Sequence, residues 1–112
     1  MPHCIIEYSK GLSNDINMNQ FMKILNEIIF SSDLFDKDSI KIRAIEHENY
    51  FLSSQRQHFI HISLRILSGR TDEQKEELAQ KIQTCLSSKF NGQDISLSTE
   101  ICDIDQKSYQ RS

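Results

Sequence analysis

Apolar and polar positions along this 112-residue chain fall into two alternating rhythms, one of period two and one of period 3.6. Cys4-Ile5-Ile6-Glu7-Tyr8 reads as a first strand, from about Pro2 to Tyr8, followed by a loop through Gly11 and Ser13. Phe21, Ile24, Leu25 and Ile28 recur at helical spacing, which predicts an amphipathic helix from about Asn17 to Ser31. SSDLFDKD is a loop, and Ile40 to Ile45 alternates as a second strand with one apolar and one charged face. After a polar connection around Glu48 to Gln57, HFIHISLRIL alternates again. Ile60, Ile62, Leu64 and Ile66 share one face of it, and Phe59, His61, Ser63 and Arg65 share the other. Ser68-Gly69 breaks the strand, and Thr71 with Gln74 offers a capping box. The helix behind that box turns Leu78, Ile82, Cys85 and Leu86 inward, runs to about Lys89 and stops at Asn91-Gly92. A last strand spans about Ile95 to Ile104, and the polar tail after it is expected to fray.

The order β-α-β-β-α-β predicts an α+β, ferredoxin-like protomer, with both helices covering one face of a four-stranded sheet. Each strand-helix-strand half is similar to the other, consistent with an internal duplication. One domain over residues 1–105 and a tail over 106–112 account for the whole length. Parity then raises a question about the uncovered face. If Ile40, Ile42 and Ala44 meet the helices, Lys41 and Arg43 lie opposite, with Phe59, His61 and Arg65. Two readings fit that mixture. Other subunits cover the face, or it is solvated and carries a few exposed apolar residues.

Composition narrows the function classes. Hydrophobic residues make up 38% and charged residues 26%, the balance of a globular chain. A net charge of −3 leaves no basic excess to neutralise phosphates, so nucleic acid is not expected as a partner. No apolar run approaches the ~20 residues of a membrane span, and no signal region opens the chain, so a cytoplasmic location is expected. Cys4, Cys85 and Cys102 suggest neither a disulfide framework nor a thiolate zinc site. His58 and His61 point to opposite faces of a strand, so no metal site is expected.

Pro2 is the only proline, directly behind Met1. A strand's first residue is one of the few sheet positions that tolerate proline, which explains its acceptance there but not its presence. MPHCIIEYS, SIKIRA, HFIHISLRILSGRT and STEICDID, in that order, resemble the 5-carboxymethyl-2-hydroxymuconate isomerase family of the tautomerase superfamily. The resemblance covers all but the last few residues. It implies a homotrimer with active sites near subunit boundaries. The implied activity is a cofactor-free proton shift that turns a dienol bearing three carboxylates into its unsaturated keto isomer, in homoprotocatechuate breakdown.

By the same resemblance, Pro2 is the base and Arg70 the residue that binds carboxylate and stabilises developing negative charge; Lys41 and Arg43 bind substrate. The chemistry suits these residue types. Once Met1 is removed, Pro2 supplies a rigid secondary amine, whereas with Met1 attached the same nitrogen is an amide and no base. Burial and nearby cations both lower an amine's pKa toward working pH. Arg70 stands at a helix N-terminus, where a cation meets an unfavourable dipole, and its planar fork suits a carboxylate. Without the resemblance it reads as a surface arginine. Lys41 stands where the family pattern has arginine; it keeps the charge and loses bidentate geometry. On the pattern alone, Lys41 and Arg43 are a polar strand face. His3 and His61 either line the site or, as is commoner for a histidine in a half-buried strand, are structural; Glu7 is a satellite acid or a strand-face carboxylate, and Cys4 a small buried residue. Two alternatives stay open: a tautomerase of another small keto-enol acid, and a trimeric interaction module without turnover if Met1 is retained.

Overall fold

In the computed structural model, which describes residues 1–112, the alternating segments become four strands. They are β1 (His3–Ser9), β2 (Lys41–His47), β3 (His58–Leu67) and β4 (Ile95–Ile104), with helices α1 (Met18–Phe30) and α2 (Asp72–Lys89) between them. Local chemistry sets the helix starts. The Asn17 side chain accepts from the Gln20 amide at the head of α1. Thr71 and Gln74 close a reciprocal capping box at the head of α2, as their spacing predicts. The loop between α1 and β2 contains one unexpected turn of 3-10 helix, Lys37–Ser39. β2 also runs two residues further than alternation suggests, because Glu46 and His47 pair with Tyr8 and Ser9.

The sheet order is β2-β1-β3-β4. β1 and β2 are parallel, β3 and β4 are parallel, and the central pair β1/β3 is antiparallel. Each helix therefore bridges two neighbouring strands, giving two unsplit β-α-β units joined back to front. Crossovers of one hand in two antiparallel units fall on the same face, so both helices pack on one side.

That side is the core. Cys4, Ile6 and Tyr8 from β1 and Ile60, Ile62, Leu64 and Ile66 from β3 meet Phe21, Leu25 and Ile29 of α1 and Leu78, Ile82 and Leu86 of α2. Each fully buried Leu, Ile or Phe contributes about 1.5–3 kcal/mol. Ile24 and Ile28, predicted on the inner face of α1, are half-buried, as is Cys85 on α2. The opposite face reads across the strands in rows: Lys41, His3, Arg65, Cys102; then Arg43, Ile5, Ser63, Glu100; then Ile45, Glu7, His61. Glu7 bonds His47 at 2.8 Å and Glu100 bonds His61 at 2.5 Å. The mixture expected from parity is there, and Ile45 remains 45% exposed. No helix is long and apolar enough to cross a membrane.

Candidate active site

The antiparallel central pair decides what meets at one edge of the sheet. His3, near the start of β1, pairs with Lys41 at the start of β2 and with Arg65 near the end of β3; Arg65 pairs in turn with Cys102 near the end of β4. The N-terminus, the β3–α2 turn carrying Arg70 and the C-terminal tail therefore converge, although they lie far apart in sequence.

Pro2 is buried, and its carbonyl accepts from the Lys41 amide at 3.0 Å, which extends the β1/β2 ladder by one bond. The Met1 amine ahead of it donates to the Ser39 carbonyl at 3.0 Å. Met1 and Arg70 line one pocket of about 320 Å³ together with Leu34, Phe35, Leu67 and Arg111. Lys41 lines an adjoining pocket with Tyr109 and Arg111, and Asp36, Ser39 and Arg111 belong to both.

Arg70 is held outside the helix it precedes. Gly69 takes φ +116°, a conformation that L side chains rarely adopt, and this lets the chain leave β3 sharply ahead of the Thr71 cap. The Arg70 guanidinium then donates to the Leu34 carbonyl at 2.6 Å and lies 5.5 Å from the centre of the Phe35 ring. These contacts aim an exposed cation at the pocket and offset its unfavourable position near the N-terminus of α2.

Arg43 stands apart and lines neither of these pockets. Its guanidinium donates to His3 Nδ1 at 3.1 Å. An arginine is only a donor, so Nδ1 is the acceptor and the proton sits on Nε2, which donates to the Tyr109 hydroxyl at 2.9 Å. Burial, then the positive charges of Arg43 and Lys41, lower the His3 pKa and keep the ring neutral. Through these two bonds His3 links β2 to the C-terminal tail.

The electrostatics are one-sided. Burial lowers the pKa of the terminal amine, and the charges of Lys41 and Arg111 push it the same way; only Asp36 opposes them. The ion pairs of the chain join Lys10 to Glu48, His47 to Glu7, His61 to Glu100, Lys75 to Asp72 and Asp103, and Lys81 to Glu77. Lys41, Arg43, Arg70 and Arg111 take part in none of them. Asp36 and Asp38 line the pockets without pairing with these cations, which leaves the cations free to hold an anion.

The tail was expected to fray, and instead it closes this edge. Gln106 donates to the Ser68 carbonyl, the Ser108 amide to Asp105 at 3.0 Å and the Tyr109 amide to the Asp105 carbonyl at 3.1 Å. Tyr109 and Arg111 were missed from sequence, as were Phe35 and Asp36. The strand order supplies the missing signal, since a chain leaving β4 in this sheet emerges beside the start of β1. Cys4 is buried with its thiol pushed up to about 12, which leaves no useful thiolate.

Residues 2–112 match a family model described as 5-carboxymethyl-2-hydroxymuconate isomerase. Among solved structures, the chain is similar to a 5-carboxymethyl-2-hydroxymuconate isomerase from Deinococcus radiodurans R1. The TM-score is 0.85 at 24% identity, covering 99% of this chain and 88% of that one. A 5-carboxymethyl-2-hydroxymuconate delta-isomerase superimposes with TM-score 0.81 at 20% identity, over 100% and 87% of the two chains. A fused 4-OT symmetric trimer gives 0.78 at 14% identity, over 98% and 91%. Comparison with curated proteins gave no match.

Proposed function

The chain belongs to the 5-carboxymethyl-2-hydroxymuconate isomerase family, and on that premise we propose that Pro2, freed of Met1, is the base of a cofactor-free proton shift. The observation that supports this reading is the pocket shared by Met1, the residue directly ahead of Pro2, and Arg70. Removing Met1 turns the Pro2 nitrogen from an amide into a secondary amine at a buried position. The burial and the Lys41 charge that lower the Met1 amine's pKa act on its successor in the same way.

The substrate is a dienol bearing several carboxylates, drawn from aromatic-acid breakdown. Pro2 takes the enol proton, the electron pair closes the carbonyl, and the conjugated chain shifts. The same amine returns the proton to carbon, so the product is an isomer and no co-reactant is consumed. An amine that both takes and gives a proton works best with a pKa near the operating pH. Arg70 and Lys41 hold the substrate carboxylates, and Arg70 opposes charge building on the enolate oxygen. Arg43 lines neither pocket and supports the site through its bond to His3 Nδ1.

A homotrimer completes the unit. The fused 4-OT relative is a symmetric trimer, and the open sheet face of this chain has the mixed apolar and polar make-up of a subunit contact. Loss of dienol absorbance on adding the chain that starts at Pro2 tests the reading. The expected result is turnover that falls sharply on acetylating the Pro2 amine; turnover unchanged by acetylation would refute the base.

A further inference from the structure

Arg111 is the one cation that lines both pockets at this edge. It stands on a tail held by two anchors. Gln106 is bonded to Ser68 in the turn that precedes Arg70, Tyr109 is bonded to His3, and the Tyr109 and His3 rings meet edge-on at 6.0 Å. Arg111 forms no ion pair, although Asp36 lines both pockets with it and Asp38 the second. Across the first pocket lies Arg70, and beside the second lies Lys41.

We infer that Arg111 is a second guanidinium of the substrate site, binding a carboxylate between Arg70 and Lys41, and that the Tyr109–His3 bond positions it. The inference rests on the reading of this edge as the site of a polycarboxylate substrate. Lys41 lacks the planar fork that pairs with a carboxylate through two bonds, and Arg111 supplies that fork in the same pocket. The lowered pKa of the neighbouring amine agrees with a guanidinium charge standing close by. The tail brings Arg111 to the pockets through its bonds to His3 and Ser68.

Calorimetric titration with propane-1,2,3-tricarboxylate, which cannot isomerise, tests this apart from turnover. Arg111→Ala is expected to raise the Kd about 10- to 100-fold, the range for losing a charged hydrogen bond to a carboxylate. Arg111→Lys should recover part of that loss, and Tyr109→Phe, which keeps the guanidinium but frees the tail, should raise the Kd several-fold. Lys107→Ala removes a charge from the same tail outside both pockets and is expected to leave the Kd unchanged. With glutarate, which has one carboxylate fewer, the Arg111→Ala effect should shrink. An Arg111→Ala Kd equal to that of the parent chain overturns the inference. So does an equal loss in Lys107→Ala, which would mark a diffuse charge effect. If the tricarboxylate binds in this way but the dienol is never turned over, the Pro2 reading fails while the Arg111 site stands.

Discussion

On the helix side of the sheet, Ile60, Ile62, Leu64 and Ile66 are fully buried under α1 and α2. On the other side the same strand presents Phe59, His61, Ser63 and Arg65, with Arg65 exposed to solvent. Alternation along one strand therefore produces two surfaces with different roles. The covered face is closed by the chain's own helices and supplies stability. The open face is built of paired charges and isolated apolar side chains. Its cations lie where it meets the N-terminus and the tail, and there they are unpaired. Damage to the first face should register as unfolding, and damage at the second as lost chemistry or assembly.

The largest effect should come from the covered face. Phe21→Ala removes a fully buried ring packed edge-on against Phe90 and is expected to cost about 3–5 kcal/mol in denaturant unfolding. Arg70→Ala inverts that pattern: kcat/KM should fall about 10²- to 10³-fold, while stability changes by less than about 1 kcal/mol. A comparable loss of stability from both substitutions would erase the distinction between the faces. Thr71→Ala lies between them. It removes the cap of α2 and should cost about 1 kcal/mol, with activity falling only as far as Arg70 shifts.

The pH profile sharpens the contrast further. A base works unprotonated, so activity falls as pH drops through the amine pKa. Burial, Lys41 and Arg111 lower the pKa of the Met1 amine, and in the proposed reading the same surroundings keep the Pro2 amine free at lower pH. In the chain that starts at Pro2, Lys41→Met removes one of these charges and should move the acid limb of kcat/KM to higher pH. A limb that stays in place would mean the amine does not titrate in the reaction. The smallest effect on stability belongs to Ile45→Lys, on the open face. It should alter protomer stability by no more than about 0.5 kcal/mol, yet, if the proposed trimer forms through this face, shift the mass seen by light scattering from trimer to monomer.

Most of this frame was legible from residue order. Period-two alternation assigned both faces of β3, and Thr71 with Gln74 placed the head of α2, because those signals are local. The sequence motifs named Arg70 and Lys41, which line two adjoining pockets at one edge of the sheet. The extension of β2 to His47 was not visible, since it depends on pairing with Tyr8 and Ser9. Nor was the docked tail: Tyr109 and Arg111 sit in a polar segment with no periodicity, and only strand order brings them to His3.

The bond between Met1 and Pro2 carries the central claim. Two preparations of this chain, one beginning at Met1 and one at Pro2 as verified by intact mass, should be compared for loss of dienol absorbance under identical conditions. Turnover in the Pro2 form, with none in the Met1 form beyond its residual processed fraction, is the predicted result. Equal turnover in both would show that the Pro2 nitrogen is not the base.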